Sequence, residues 1–173
     1  MNVFYMSGDI ALLLGSSSIR KWKNSTGFDV VVNCGISRLT TNELSQYFDH
    51  LPNISPKYIL VWIGMNDVLY SRNQPKQIIE NITQFTDLLC KKYPKSRMIV
   101  LSILKSPKLY DLQKDKTVDY INRKLKENYM ATKNKSVSFQ NINRYLRDDK
   151  YYGVDRFHLN SLGYAILNEY LDI

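Results

Sequence analysis

Three apolar runs in the first 67 residues share one pattern, because each leads within three residues to a glycine, and a polar side chain follows that glycine within two residues. The runs cover residues 10–14, 30–32 and 58–63. Short, continuous apolar runs are typical of strands covered on both faces, as in a parallel sheet. Ligands bind outside the carboxyl ends of such strands. The pattern therefore predicts a parallel α/β protein with one site assembled from three strand ends.

Segments of helical periodicity separate further apolar runs along the chain. Helices are predicted at about 40–51, 75–93, 112–132 and 161–171, and two more strands near 97–103 and 137–139. Thr40 and Glu43 are spaced as a capping box, and Pro75 fits the first turn of a helix. Strands that alternate with helices imply right-handed βαβ units. We therefore expect a single domain over residues 1–173, a three-layer α/β/α sandwich with about five parallel strands.

The net charge of +8 is unevenly distributed. Residues 91–156 carry 17 Lys and Arg against 7 Asp and Glu, whereas the remainder carries 7 against 9. Two interpretations stay open: solvated lysines that aid solubility, or attraction of an anionic substrate such as an acidic glycan. Nucleic-acid binding is not expected, because no recognition motif accompanies the charge.

The apolar stretches are strand-sized, far short of the roughly 20 residues that a membrane span needs. The first nine residues lack a basic region and end at Asp9, which does not resemble a signal peptide. We therefore expect a cytoplasmic protein without membrane association. Cys34 and Cys90 are predicted to be buried free thiols rather than a disulfide.

A strand-to-helix turn after Gly15 carries three consecutive serines. A serine there is raised above the sheet, although it is also a common helix N-cap. A serine nucleophile needs a base, and the chain has two histidines. His50 fits the end of a surface helix. His158 follows Asp155 by three residues, a spacing that lets the carboxylate reach Nδ1 and fix the tautomer.

The second and third strand ends offer donors for an oxyanion. The N–H of Gly35, the side-chain amide of Asn66 and the N–H of Ser17 are candidates to converge on a tetrahedral intermediate. Gly35 is equally compatible with a turn, and Asn66 with a helix cap. Asp67 is predicted to support the loop, because its carboxylate would repel an oxyanion.

Four short motifs occur in order along nearly the whole chain: the serines after Gly15, the glycine at Gly35, the pair Asn66–Asp67, and Asp155 with His158. Together they resemble the motifs of the SGNH hydrolases, the GDSL-type esterases. The resemblance implies Ser17 as nucleophile, Gly35 and Asn66 as oxyanion donors, and His158 as a base oriented by Asp155. It also implies a flavodoxin-like sheet and neither a metal nor an organic cofactor. The chain departs from the family pattern in two places. Ser16 stands where the family usually has an aspartate before the nucleophile, and residues 36–38 lack a further glycine that often follows the second motif.

A serine esterase that removes a small acyl group, acetyl, from a carbohydrate fits best, because no apolar lid is evident and the loops are rich in Lys, Asn and Tyr. A sugar O-acyltransferase with the same site and a non-catalytic carbohydrate- or partner-binding module remain alternatives. An α/β-hydrolase is disfavoured, since Ile19 stands where its second motif glycine belongs. A cysteine enzyme built on Cys34 lacks a dedicated base.

Overall fold

The computed structural model describes residues 9–23, 28–71, 73–132 and 134–171. Five strands form one fully parallel sheet in the order β2-β1-β3-β4-β5. They are β1 (Ile10–Gly15), β2 (Val30–Asn33), β3 (Tyr58–Trp62), β4 (Arg97–Leu101) and β5 (Val137–Gln140). The predicted number and direction of the strands are confirmed.

The α-helices are α1 (Ser17–Lys21), α2 (Leu44–Asp49), α3 (Met65–Tyr70), α4 (Pro75–Lys92), α5 (Pro107–Asp111), α6 (Asp115–Ala131) and α7 (Ser161–Tyr170). Short 3-10 helices cover Thr41–Glu43, Ile142–Arg144 and Asp149–Tyr151. The capping box of Thr40 and Glu43 and the position of Pro75 are confirmed. Helices α3 and α5 have six and five residues, too few to show a helical period in the sequence.

Helices cover both faces of the sheet, which confirms the three-layer α/β/α sandwich. Helix α4 packs between α2 and α6. Trp22, the residue directly after α1, contacts α7: its ring stacks on Tyr164, and its Nε1 donates to Asn168 Oδ1 at 2.8 Å. None of the described helices is long and apolar enough to cross a lipid bilayer.

The core centres on strands β1, β3 and β4. Leu12, Leu13 and Leu60 are completely buried. Strand β2 lies at the sheet edge, and its three valines are only half-buried. The valines of β2 are less buried than the residues of the central strands because an edge strand has a neighbouring strand on one side only.

The strand order reverses between β1 and β3, since β2 lies to one side of β1 and the later strands to the other. Such a switch point opens a crevice at the carboxyl ends of the strands. Gly15 ends β1 with a φ of +148°, and a Cβ there would lie 2.0 Å from the carbonyl oxygen of Trp62. This glycine lets the chain turn tightly past β3 into α1, which begins at the crevice.

Candidate active site

Of the three consecutive serines, Ser17 alone is partly exposed. Ser16 is 2% exposed and Ser18 is 3% exposed. The Ser18 hydroxyl donates to Met65 Sδ at 3.9 Å, and its carbonyl oxygen accepts from the Tyr164 hydroxyl at 2.7 Å. The neighbouring serines thus belong to the packing, while the Ser17 hydroxyl remains accessible to a ligand.

A chain of hydrogen bonds joins Ser17, His158 and Asp155. Ser17 Oγ lies 2.8 Å from His158 Nε2, and His158 Nδ1 lies 2.6 Å from Asp155 Oδ2. With the ring proton on Nδ1, the imidazole donates to Asp155 and Nε2 accepts from the serine hydroxyl. The structure therefore brings together three predicted site residues from opposite ends of the chain.

The surroundings of Asp155 favour its carboxylate form. Burial opposes ionisation, but hydrogen bonds from His158 and Phe157 hold the pKa of Asp155 well below its usual value. The backbone N–H groups of these two residues donate to Oδ1 at 3.0 Å, so Oδ2 is left for the imidazole. Lys21 Nζ lies 4.0 Å from Oδ2 and adds positive charge. An ionised Asp155 keeps the imidazole oriented and balances the imidazolium that proton transfer creates.

Arg156 holds the turn between Asp155 and His158. Its φ is +55°, a left-handed conformation that costs a non-glycine residue roughly 1–2 kcal/mol. The backbone N–H of Lys108 donates to the Arg156 carbonyl oxygen at 2.9 Å. The guanidinium lies 3.3 Å from Asp111 Oδ2 and 3.4 Å from Asp149 Oδ2. The turn that presents His158 is therefore anchored from α5 and from the 3-10 helix before it.

Asn66 lies in the first turn of α3 and is 4% exposed. Its Nδ2 donates one hydrogen to the Leu39 carbonyl oxygen at 3.0 Å. An amide has two such hydrogens, and among the described residues no second acceptor is recorded for this one. The bond to Leu39 thus fixes the orientation of the amide while leaving one hydrogen for a ligand.

Asp67 is buried, 1% exposed, and supports the loop that carries Leu39, as the sequence predicted. Its carboxylate accepts from the backbone N–H of Thr41 at 2.9 and 3.1 Å, from the Thr41 hydroxyl at 2.6 Å and from Asn73 Nδ2 at 3.1 Å. Burial raises the pKa of Asp67, and these hydrogen bonds oppose the shift. Through Thr41 and Leu39, Asp67 is linked to the amide of Asn66.

Gly35 has a different partner from the one expected. Its N–H donates to Asn33 Oδ1 at 3.0 Å. A Cβ at this position would lie 2.2 Å from the backbone nitrogen of Arg20, so glycine is needed for the close approach to α1. Since a backbone N–H carries one hydrogen, binding an oxyanion requires that it exchange Asn33 for the ligand. Its role as a donor stays a prediction.

The two cysteines are free, as predicted, but each is only half-buried. Burial raises the pKa of the Cys34 thiol, which favours the unreactive neutral form. Its carbonyl oxygen accepts from the Tyr47 hydroxyl, so this residue ties β2 to α2. The structure gives no support to Cys34 as a nucleophile.

Three residues that organise the site had no assigned role in the sequence. Asn33 donates to the carbonyl oxygens of Ile19 and Trp22 at 2.7 and 3.1 Å and so ties the end of α1 to β2. The position of Asn33 directly after an apolar run is a sequence pattern that could have identified it. No sequence pattern marks Arg156 or Tyr164, because their partners are distant in sequence.

The family model described as "GDSL-like Lipase/Acylhydrolase family" matches residues 16–166. The chain belongs to this family. It is accordingly an ester hydrolase, and the match extends from the candidate nucleophile block to helix α7. No match was found among curated proteins.

Solved structures of similar fold agree with this GDSL-type architecture. A protein from Streptococcus pneumonia superposes with a TM-score of 0.79 at 22% identity, covering 96% of this chain and 83% of that one. A Clostridium thermocellum family 3 carbohydrate esterase gives 0.69 at 18%, covering 93% and 92%. An acetyl esterase variant with an acetate ion gives 0.69 at 16%, covering 94% of each chain. At these identities the likeness concerns the fold.

Proposed function

We propose that this GDSL-type hydrolase is a serine esterase that removes acetyl groups from a carbohydrate through an acyl-enzyme on Ser17. The observation that carries the proposal is the continuous hydrogen-bond chain from Ser17 through His158 to Asp155. A free serine hydroxyl is a poor nucleophile, and a positioned base is what activates it.

In the first half-reaction, Ser17 Oγ attacks the ester carbonyl carbon while His158 Nε2 takes the hydroxyl proton. The carbonyl π-electrons move to oxygen, and this oxyanion accepts hydrogen bonds from the Ser17 N–H and the Asn66 amide. Gly35 is a third donor once its N–H leaves Asn33. The tetrahedral intermediate then expels the alcohol, which takes the proton from His158. The acyl group remains on Ser17.

In the second half-reaction, water attacks the acyl-enzyme and gives its proton to His158. Collapse of this second tetrahedral intermediate breaks the bond to Ser17 Oγ, which regains the proton from the imidazole, and the carboxylic acid departs. Asp155 stays ionised throughout and stabilises the imidazolium. Neither half-reaction requires a group beyond these side chains, backbone donors and water.

The choice of acetyl and of a carbohydrate is supported by two of the matched structures, one a family 3 carbohydrate esterase and one an acetyl esterase holding acetate. The polar character of the neighbouring surface agrees with this choice, since Tyr and Asn side chains line it. Such groups suit sugar rings and hydroxyls better than long acyl chains.

Labelling by a fluorophosphonate tests the nucleophile, with the adjacent serines as matched controls. We expect Ser17→Ala to abolish both labelling and hydrolysis of p-nitrophenyl acetate, while Ser16→Ala and Ser18→Ala keep both. All three variants remove one hydroxyl from the same turn, so a folding defect would show in the controls as well. Retained labelling in Ser17→Ala would overturn the assignment.

A panel of acyl esters tests the substrate. We expect acetyl esters to be cleaved faster than butyryl and octanoyl esters, and acetylated oligosaccharides to release free acetate. Acetyl transfer to an added sugar would instead identify an O-acyltransferase. A preference for octanoyl esters would contradict the proposal.

A further inference from the structure

A polar cleft opens at the carboxyl ends of β4 and β5, beside the turn that presents His158. Its volume is about 810 Å³, and an adjoining cleft of about 560 Å³ shares Asp119, Asn141 and Asn143 with it. Both volumes are in the range of small-ligand sites. Arg156, two residues before His158, lies in the wall. Three strand spacings, roughly 14 Å, separate β1 from β5, so one extended ligand can span Ser17 and this cleft.

Hydrogen bonds of Asn143 cross-link the floor of the cleft. Asn143 Nδ2 donates to the Ser102 hydroxyl at 3.0 Å and to the Ile103 carbonyl oxygen at 2.9 Å. Its Oδ1 accepts from the backbone N–H of Lys105 at 2.7 Å. These bonds join the segment after β4 to the segment after β5, so the lining side chains project from a fixed base.

Cations outnumber anions around the two clefts, with seven Lys and Arg side chains against three aspartates. Asp119 pairs with Lys105, while Asp111 and Asp149 pair with Arg156. Among the described residues, the guanidinium groups of Arg144 and Arg147 have no recorded carboxylate partner. The aspartates of the cleft are thus already engaged, and two arginines remain for an external anion.

Arg144 is held in place by aromatic stacking. Its guanidinium carbon lies 4.5 Å from the centroid of the Tyr145 ring. Tyr145 in turn stacks on Tyr170 of α7, with centroids 4.2 Å apart and planes 7° from parallel. A guanidinium over a ring face keeps its N–H donors at the edge, where they fit a carboxylate bidentately. The cation is therefore preorganised for an anion.

Two exposed tyrosines line the same surface. Tyr110 is 69% exposed at the larger cleft, and Tyr120 is 40% exposed at the smaller one. Sugar rings present apolar C–H faces that pack on aromatic rings, while their hydroxyl edges need polar partners. Aromatic faces beside unpaired arginines thus match a sugar that carries a carboxylate.

We propose that this cleft binds an acidic glycan, with Arg144 and Arg147 contacting the carboxylates of its uronic acid residues. The inference rests on the proposed function, because the glycan carries the ester that Ser17 cleaves. Bound in this way, a uronic acid chain extends from the cleft past Arg156 and brings an O-acetyl group to Ser17.

Isothermal titration calorimetry with a tetrasaccharide of galacturonic acid tests binding without any ester. We expect the wild-type protein to bind it more tightly than neutral cellotetraose. Arg144→Gln/Arg147→Gln should weaken the acidic complex at least about tenfold, since charge-assisted hydrogen bonds are lost. Raising sodium chloride from 0.05 to 0.5 M should weaken wild-type binding as well.

Lys91→Gln/Arg97→Gln is the matched control, because it removes the same charge from exposed residues away from the cleft. Arg97 begins β4 at the amino edge of the sheet. We expect this variant to bind the tetragalacturonate as the wild type does. Equal losses of affinity in both double variants would show that binding depends only on general charge attraction, and would contradict the proposed site. Unchanged binding in the Arg144/Arg147 variant, or no preference over cellotetraose, would overturn it too.

Kinetics separate this inference from the proposed function. With acetylated tetragalacturonate and acetylated cellotetraose, the wild type should show a higher kcat/KM for the acidic ester, and Arg144→Gln/Arg147→Gln should lose that preference through KM. Tetragalacturonate binding without hydrolysis of any ester would contradict the proposed esterase activity but support the glycan-binding role of the cleft. Hydrolysis without preference for the acidic ester would contradict that role of the cleft but support the esterase activity.

Discussion

The two halves of the sheet's carboxyl edge are built differently. At the ends of β1 and β3, the polar side chains are buried and hydrogen-bonded, as in Asn66 at 4% and Asp67 at 1% exposure. At the ends of β4 and β5, charged side chains such as Arg144 and Arg147 stand exposed around an open cleft. Oxyanion stabilisation needs hydrogen-bond donors that are fixed in position before the substrate binds, whereas a binding surface tolerates more variation in the positions of its side chains. Substitutions in the first half should therefore lower kcat, and those in the second should change KM or stability.

The largest expected effect is that of Asp155→Asn. The asparagine retains the shape of the side chain but cannot hold the imidazole in the required tautomer or balance its charge, so kcat should fall by about 10⁴-fold. Steady-state kinetics with p-nitrophenyl acetate measures this loss. Asp148→Asn, an exposed aspartate paired with Lys150 in the same segment, serves as the control and should keep its activity. A loss below tenfold in Asp155→Asn would contradict the assigned role.

Asn66→Ala should lower kcat by about 10²–10³-fold with a smaller change in KM, as expected when one oxyanion donor is removed. The same kinetic assay measures both constants. A change confined to KM would show that Asn66 binds the ground state only.

Asp67→Asn is expected to act through the loop rather than on the substrate. The new amide group would face the N–H and hydroxyl of Thr41, the loop would shift, and the amide of Asn66 would lose its position. A misplacement of about 1 Å costs up to about 100-fold, so we expect kcat to fall by roughly tenfold to 100-fold. Wild-type kcat in this variant would show that the loop does not position Asn66.

The pH dependence of stability gives a second measure of Asp67. Because its folded pKa is raised, its contribution to stability is fully present below the ordinary pKa of about 3.9 and is lost as pH rises through the folded pKa. The unfolding free energy of the wild type relative to Asp67→Asn should therefore be greatest below the ordinary pKa of about 3.9 and decrease as the pH rises toward 7. Urea unfolding at several pH values measures this difference, and a difference that grows with pH would contradict it.

The smallest effect concerns Arg156, which lies between the two halves. Arg156→Ala and Arg156→Gly both lose the contacts to Asp111 and Asp149, but glycine relieves the left-handed backbone. The glycine variant should therefore be more stable than the alanine variant by about 1–2 kcal/mol. Thermal unfolding measures this difference. Equal stability would mean that the backbone conformation of the turn contributes nothing.

Much of the scaffold was predictable from local patterns. The apolar runs at 10–14 and 58–63 identified central strands, and the Thr40–Glu43 capping box and Pro75 marked helix starts correctly. The run at 30–32 also identified a strand, but three valines in succession do not reveal whether a strand lies at the centre or the edge of a sheet. The short helices α3 and α5 were not predicted because they span less than two turns, which is too short for a helical period to show in the sequence.

The sequence by itself determined the parallel α/β class, the positions of the polar groups after β1 and β3, and the spacing of Asp155 and His158. These depend on periodicity and on neighbours along the chain. The tertiary structure alone decided that Ser17 rather than Ser16 or Ser18 is exposed, that the Gly35 N–H is bonded to Asn33, and that Arg144 is stacked on Tyr145. Those outcomes depend on burial, on competition for single hydrogen-bond donors and on the pairing of charges across distant segments. These features arise between residues that are far apart along the chain, so they leave no local pattern in the sequence.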